Sequence, residues 1–221
     1  MNGKQPSLEV KVWSDLACFT RPEMKVERVT YPVMTPSAAR GVLEAIFWKP
    51  EFWWQVREIH VLKPIRYFSI VRNETNSRQS DRVARKWTRS GEGYFADEDR
   101  AQRHTLALYD VAYRIKADIV LKPHAGADVA KYRDQFRRHV TRGQCQYQPY
   151  LGCREFSAAF GDPGVSDSPI DVTDELGLML FDMRYKHDEH GYGVSGEPMF
   201  FTAKLDHGVL RVPAEKYQEV I

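Results

Sequence analysis

The order of its predicted elements assigns this chain to the α+β class, with a ferredoxin-like domain over residues 1–160 and a small antiparallel β-sheet over residues 161–221. Segments that alternate like strands or repeat like helices follow one another as strand, helix, two strands, strand, helix and strand, which is a ferredoxin-like order. The stretch "GDPGVSDSPIDVTDE" then breaks both patterns and indicates a boundary. Three short segments beyond it alternate like antiparallel strands.

The first part of the chain supplies one helix and three strands. "LEVKVWS" alternates like a half-buried strand. Thr35 is a suitable N-cap with Pro36 at the first helical position, so a helix is predicted to begin there. "FWWQVREIHVL" and "PIRYFSIVRN" are rich in β-branched and aromatic residues, and we expect them to form an antiparallel pair.

The middle of the chain combines a polar segment with a basic helix. Residues 73–103 are Arg-rich and lack periodic apolar residues, which predicts a long functional or mobile loop. "TLALYDVAYRIKADIVL" is typical of one long strand or a bent pair. Apolar residues at three- and four-residue spacing predict an amphipathic helix over residues 128–142 whose exposed side is basic, with Gly143 as its C-cap. "QPYLGCREFSAAF" is predicted to be the strand that follows.

The sequence offers no motif that indicates a serine hydrolase, a nucleotide-driven enzyme or a metal site. It contains no GxSxG elbow and no Walker loop, and the run "GYGVSG" at 191–196 has GxGxxG spacing but is more typical of a plain hairpin. The run His187-Asp188-Glu189-His190 is consecutive, so its side chains diverge, and it is more typical of a solvated turn than of a metal site. We therefore expect neither a metal ion nor a cofactor.

Composition is that of a globular protein. Hydrophobic residues make up 43% of the chain, which is enough for a packed core. No run approaches the ~20 apolar residues of a membrane span, and "MNGKQPSLEVKVW" lacks the apolar stretch of a secretory signal. The protein is accordingly expected in the cytoplasm, without a membrane partner.

Positive charge is concentrated in two segments, although the whole chain has a net charge of only +2. Residues 131–142 hold five Lys or Arg residues against one Asp, and residues 78–103 hold seven against five acids. Such segments suit a phosphate-rich ligand, because local patches determine binding more than totals do. Solvated helix faces would account for the same charge, so both interpretations stay open.

Metal-free cleavage of RNA needs little machinery, because the RNA supplies its own nucleophile, the 2′-hydroxyl. The protein must hold that hydroxyl in line, remove its proton and stabilise the charge of the phosphorane. A Lys or Arg together with a His or Tyr is sufficient, and the basic helix offers Lys131, Tyr132 and His139. Tyr132 also fits the apolar stripe of that helix, where it would be a core residue.

Four motifs resemble one family of proteins along nearly the whole chain. "IFWKPEFWW", "LKPIRYFSIVRNE", "RHTLALYDVAYRI" and especially "RGQCQYQPYLGCREF" are similar to the Cas five family of CRISPR-associated proteins, subtype I-C (Dvulg). The resemblance implies a ferredoxin-like domain of the RRM or RAMP type. It also implies an endoribonuclease that cuts precursor CRISPR RNA within the repeat, without metal, and leaves a 2′,3′-cyclic phosphate.

The resemblance also implies a catalytic group, which this chain keeps only in part. The family has a tyrosine near the end of the first helix and a Lys-His pair at the start of the basic helix. Phe47 stands at the first position, and the pair is Lys131-Tyr132. Tyr132 is expected to assist at the 2′-hydroxyl, with neighbouring cations lowering its pKa. His139 and His104 are candidate substitutes for the missing histidine.

The expected partners are CRISPR repeat RNA and other subunits of the type I-C surveillance complex, in which the protein stays bound to the 5′ handle. The rival interpretation is a structural subunit that binds RNA without cleaving it, and Phe47 favours this rival. Duplex DNA is a further candidate ligand, because phosphate contacts carry no sequence information. The residues expected to bind RNA are Arg133, Arg137, Arg138 and Arg142 in the basic helix and Arg82, Arg85 and Lys86 in the Arg-rich segment.

Overall fold

The computed structural model describes residues 6–24, 26–77, 80–91, 93–187 and 194–219. Within these ranges the protein has a mixed helix and strand architecture dominated by a largely antiparallel sheet. No helix in the same ranges is long and apolar enough to cross a membrane. The elements in chain order are β1 (Leu8–Ala17), β2 (Arg28–Val29), α1 (Pro36–Ile46), β3 (Phe52–Val61), β4 (Tyr67–Thr75), α2 (Asp81–Ser90), β5 (Arg100–Leu121), α3 (Val129–Arg142), β6 (Ala159–Gly161), β7 (Asp174–His187), β8 (Val194–Asp206), β9 (Val209–Arg211) and a 3-10 helix (Ala214–Glu219).

The sheet is organised around β5. Its strand order is β6-β1-β5-β3-β9-β8-β7, and β2 and β4 also pair with β5. β5 is 22 residues long, so one of its edges pairs with β1 and β2 while the other pairs with β3 and β4. Residues 113–120 alternate between buried and half-buried positions and line the core. Residues 100–104 extend past the core.

The expected antiparallel pairing of "FWWQVREIHVL" with "PIRYFSIVRN" is wrong. β3 pairs with residues 113–121 of β5, and β4 pairs with residues 100–108 of the same strand. The connection between them also bonds β5, because the Leu62 N–H donates to the Ala112 carbonyl over 2.9 Å. β3 and β4 therefore pair with consecutive parts of the same edge of β5, which is long enough to pair with both.

The loop predicted for residues 73–103 is also wrong. β4 and β5 extend into this segment from its two ends, and α2 lies between them. α2 begins at the Ser80 N-cap, whose hydroxyl accepts the Val83 N–H over 3.4 Å, and ends at Gly91 in the left-handed region. Periodicity did not predict α2, because no residue of this helix is buried and it has no apolar stripe.

The strand predicted over "QPYLGCREFSAAF" is limited to its last residues. Only β6 is a strand, and a single bridge joins Tyr150 to Ser157 before it. Gly152 lies in the left-handed region with φ of 86°, and a Cβ there would come within 2.0 Å of the Cys18 carbonyl oxygen. This close approach requires glycine and turns the chain where a strand was expected.

The C-terminal strands continue the main sheet. β9 pairs with β3, β8 pairs with β9, and β7 pairs with β8. One buried cluster contains both Val42 of α1 and Phe181 of β7. The predicted division into residues 1–160 and 161–221 stays a prediction.

α1 begins as predicted and packs against β3 and β7 of the sheet. The Thr35 hydroxyl accepts the Ala38 N–H over 3.2 Å, and Pro36 is the first helical residue. Arg40 donates two hydrogen bonds to the buried Asp182 carboxylate of β7, over 2.9 and 2.7 Å. Arg40 also pairs with Glu44 over 2.8 Å. This network fixes α1 against the C-terminal strands.

Replacing Asp182 with alanine should lower the free energy of unfolding by about 3 kcal/mol, because it leaves the Arg40 guanidinium without its buried partner. Glu44 still pairs with Arg40, so the loss is expected near the lower end of the usual range. Denaturant unfolding measures it. The matched control is Asp206→Ala, which removes an exposed pair with Arg211 and should change little. Equal losses in the two variants would contradict this account.

Candidate functional site

α3 carries most of the residues that the sequence assigns to function. It runs from Val129 to Arg142, and Gly143 caps its end in the left-handed region with φ of 62°. Its apolar side packs on β3, where the rings of Phe136 and Trp54 are 4.8 Å apart. The helix and its C-cap therefore form as predicted, and the basic residues lie largely on the exposed side.

The predicted RNA-binding residues of α3 divide into two groups. Arg137, Arg138 and Arg142 are exposed, as is Lys131. Arg137 pairs with Asp134 over 3.1 Å, whereas no ion pair of the other three is found in the part of the chain that the structure describes. Arg133 lies on the buried side and donates to the Pro6 carbonyl. Its guanidinium thus connects the N-terminal segment to α3 and is not on the exposed face.

Tyr132 belongs to a chain of packed rings. It is 4% exposed, and its ring centre is 5.4 Å from that of Phe52. Phe52 stacks on Phe47 at 5.6 Å, and Phe47 meets His139 edge-on at 5.2 Å. The two positions that differ from the family pattern, Phe47 and Tyr132, therefore contact the same ring. We call Phe47, Phe52, Tyr132 and His139 the aromatic cluster.

The expectation that cations lower the pKa of Tyr132 is wrong. Burial raises the pKa of Tyr132, and the carboxylate of Glu51 raises it further. One oxygen of that carboxylate, Oε2, is buried and has no hydrogen-bond partner among the described residues. Tyr132 is consequently a neutral phenol at physiological pH, which can donate a hydrogen bond but is a poor base.

His139 lies at the other end of the helix. Its Nδ1 is 3.0 Å from the Ile46 carbonyl oxygen at the end of α1. Because a carbonyl only accepts hydrogen bonds, Nδ1 carries the proton and Nε2 of the neutral ring is left as the acceptor. Tyr132 and His139 are seven residues apart, about 10 Å along the helix axis. The two side chains are therefore two helical turns apart, with the rings of Phe52 and Phe47 between them.

The Arg-rich segment lies far from α3. α3 packs where Trp54 of β3 pairs with Ile119 of β5, while α2 lies beyond Arg100 at the opposite end of β5. Arg82, Arg85 and Lys86 are exposed and, with Arg89, line a broad depression along α2. His104 is on the β4–β5 ribbon, paired with Val71. Neither α2 nor His104 reaches the aromatic cluster.

Three exposed rings that the sequence analysis did not single out lie beside α3. Trp48, Tyr147 and Tyr150 border a groove at the end of α1. The N–H groups of Gln146 and Tyr147 donate to the Ala45 carbonyl over 2.8 and 3.1 Å, so the loop is fixed to that helix. The run "QCQYQPY", which is rich in glutamine and tyrosine, could have indicated this groove. The sequence analysis assigned its last three residues to a strand instead.

No group of metal-ligating side chains is found among the described residues. Asp188, Glu189 and His190 of the predicted solvated turn lie outside the described residues.

Comparison with protein families confirms the family that the sequence motifs indicated. The family model described as "CRISPR-associated protein (Cas_Cas5)" matches residues 7–213. The chain belongs to the Cas5 family of CRISPR-associated proteins. The family model and the relatives of this Cas5 protein carry the Cas5d name, which agrees with the subtype expected from the motifs.

Relatives resemble this Cas5 protein over almost their full length. Two are named "CRISPR pre-crRNA endoribonuclease Cas5d". The one from Thermus thermophilus is 46% identical and the match covers 96% of this chain and 94% of the relative. The one from Mannheimia succiniciproducens is 42% identical, with 96% and 97% covered.

Solved structures share the fold of this Cas5 protein. A CRISPR-associated protein has a TM-score of 0.65 at 21% identity, and the match covers 97% of this chain and 96% of that one. A functionally uncharacterized protein from Streptococcus mutans has a TM-score of 0.64 at 17% identity, with the same coverage.

The raised pKa of Tyr132 has a measurable consequence. A difference titration between the wild type and Tyr132→Phe should show one phenol that ionises only above its usual pKa of about 10. Because the folded state holds this proton more tightly than the unfolded state, its contribution to stability is complete below about pH 10 and is lost as the pH rises through the folded pKa. A transition near neutral pH would contradict it.

Proposed function

We propose that the protein is an endoribonuclease that cleaves precursor CRISPR RNA within the repeat. The observation that carries the proposal is the exposed Lys131 of α3, which has no ion pair among the described residues and directly precedes Tyr132, whose hydroxyl is neutral. The two relatives named as pre-crRNA endoribonucleases support it, since they are more than 40% identical over 96% of this chain.

The reaction uses groups of the RNA and of the basic helix. The 2′-hydroxyl gives its proton to a base and attacks the adjacent phosphorus. The bond from phosphorus to the 5′-oxygen breaks, this oxygen takes up a proton from solvent, and a 2′,3′-cyclic phosphate forms. Lys131 stabilises the charge that develops on the phosphorane oxygens. Tyr132, which remains protonated, donates a hydrogen bond and so orients the phosphate. These steps require no metal ion.

The proton acceptor is the open part of this mechanism. Its raised pKa makes Tyr132 a poor base at neutral pH. His139 presents Nε2 as an acceptor, but it is about 10 Å from Tyr132 along the helix. We therefore propose His139 as the base only for a scissile phosphate that lies toward its end of α3.

The fold and the partners of this proposal follow from the same elements. The sheet order β6-β1-β5-β3, with α1 and α3 on one face, supports a ferredoxin-like unit of the RAMP type. After cleavage the protein is proposed to keep the 5′ handle and to join other subunits of a type I-C surveillance complex. The exposed cations of α2 and α3 fit RNA and duplex DNA alike.

One observation favours a rival function, that of an RNA-binding subunit without cleavage. Phe47 is buried and has no hydroxyl, so one member of the family's catalytic group is missing. Incubation of the protein with its own repeat RNA in excess EDTA decides between the two functions. Discrete products ending in a cyclic phosphate support the endoribonuclease, and bound but intact RNA supports the rival.

Lys131→Ala should reduce the cleavage rate by about 10²–10³ while leaving affinity for the repeat nearly unchanged, because the charge it stabilises exists only in the transition state. Single-turnover cleavage and a filter-binding titration measure the two quantities. Arg138→Ala is the matched control, since it removes another exposed cation of α3 and should keep the native rate at saturation.

A repeat RNA with a 2′-deoxy sugar just 5′ of the scissile phosphate should bind normally and resist cleavage. Cleavage of that RNA, or a native rate in Lys131→Ala, would mean that the 2′-hydroxyl mechanism on α3 is wrong.

Replacing Arg82, Arg85 and Lys86 together with alanine should weaken binding of all RNAs similarly, because α2 offers phosphate contacts without a fixed pocket for a base. The slope of log affinity against log salt should become shallower by about 2, if each cation contacts one phosphate of a single strand. Titrations at several salt concentrations measure the slope. A loss of affinity confined to the cognate repeat would show that α2 recognises the sequence or shape of the RNA.

A further inference from the structure

A groove of about 720 Å³ lies between the end of α1 and the loop of residues 144–157. We propose that this aromatic groove binds unpaired nucleobases of the RNA by stacking, a binding site that rests on the proposed function and extends it. Its volume is within the range of about 300–1,000 Å³ that is typical of ligand sites. The residues that carry the argument are Gly41, Trp48, Tyr147, Tyr150 and Arg154.

The groove presents aromatic faces to solvent. Tyr147 is 74% exposed, Trp48 is 44% exposed and Tyr150 is 41% exposed. Stacking of another flat apolar surface on a solvent-exposed aromatic ring is favourable in free energy, and every nucleobase has such a surface. Arg154 adds a guanidinium plane with a positive charge at the same lining. Proteins that bind single-stranded nucleic acids combine aromatic rings with arginine in this way.

The groove is held in shape before any ligand binds. The side-chain amide of Gln146 donates to the Trp48 carbonyl over 2.9 Å, and that of Gln148 donates to the Ala158 carbonyl over 2.8 Å. These bonds to the backbone fix the orientation of both amides. The exposed rings bind the faces of bases, and such stacking is tolerant of sequence and specific for unpaired strands.

The position of the groove favours RNA over a protein as its occupant. The loop begins directly after Arg142 and Gly143, so the exposed cations of the last turn of α3 lead into the groove. His139 connects the two, because its ring bonds the end of α1 through the Ile46 carbonyl. An RNA strand whose phosphates follow α3 thus has its bases at the rings.

The groove continues along α1. A second depression of about 270 Å³ shares Gly41, Ala45 and Tyr150 with it, so there is room for more than one base. A Cβ added at Gly41 would meet no atom within 4 Å, and Gly41 is exposed on the helix. Gly41→Leu therefore places a side chain in the groove without disturbing the fold, and it improves the helix propensity of α1.

The test uses repeat RNA with the protective 2′-deoxy sugar and with 2-aminopurine in an unpaired position. Trp48→Ala and Tyr147→Ala should each weaken binding by roughly 5- to 150-fold, the range expected for one stacked base. Gly41→Leu should weaken it as well. Quenching of the 2-aminopurine by stacking should fall in all three variants, while the salt slope stays unchanged because no phosphate contact is lost.

Two control variants separate stacking from general damage. Tyr147→Phe keeps the ring and should bind like the wild type. Trp13→Ala removes a ring that is 39% exposed, close to the value of Trp48. Trp13 follows the buried Val12 on β1, so its side chain points to the opposite face of the sheet. This variant should leave both affinity and quenching unchanged.

Each other outcome overturns the inference. Native affinity and quenching in Trp48→Ala and Tyr147→Ala would show that the rings do not stack on bases. An equal loss for a fully paired duplex of the same sequence would show that the groove reads shape or phosphates. Normal RNA binding with lost assembly of the complex would make the groove a protein interface. If the wild type binds no repeat RNA, the proposed function itself fails.

Discussion

The long strand β5 is the constraint on which the rest of the structure depends. Because β5 is 22 residues long, it spans about 70 Å when extended and offers backbone hydrogen bonds to four strands. The change of partner from β4 to β3 occurs around Asp110, which has φ of 53° and an ion pair with Lys63. Aspartate tolerates this left-handed conformation better than most residues. One strand thus joins a closed core to a projecting ribbon and separates the two basic segments.

Packing decides the chemistry that the basic helix can offer. Phe52 lies between Phe47 and Tyr132, and the packing of the three rings stabilises the fold. The same burial holds the Tyr132 hydroxyl in its protonated form, and Glu51 acts in the same direction. Tyr132, as part of the core, is therefore a poor base at neutral pH. Lys131, the preceding residue of the helix, is exposed to solvent.

Local signals in the sequence were reliable wherever one residue fixes one conformation. Thr35 and Gly143 act on the backbone beside them, so the start of α1 and the end of α3 could be predicted. The pairing of strands could not, because it depends on which edge of β5 is free at each point. α2 was missed because none of its residues is buried, and Val83 and Trp87 alone are too few to define an apolar stripe.

The sequence by itself determined the class of the protein, the two basic segments and the resemblance to the Cas5 family, because composition, spacing and motifs are properties of the chain alone. Only the tertiary structure decided which of these residues act together. Arg133 is buried and Trp48 is exposed, which no local pattern predicts for a guanidinium and an indole. The aromatic groove forms between α1 and a loop about a hundred residues later. Its existence depends on long-range hydrogen bonds such as those to the Ala45 carbonyl, and sequence spacing does not encode such contacts.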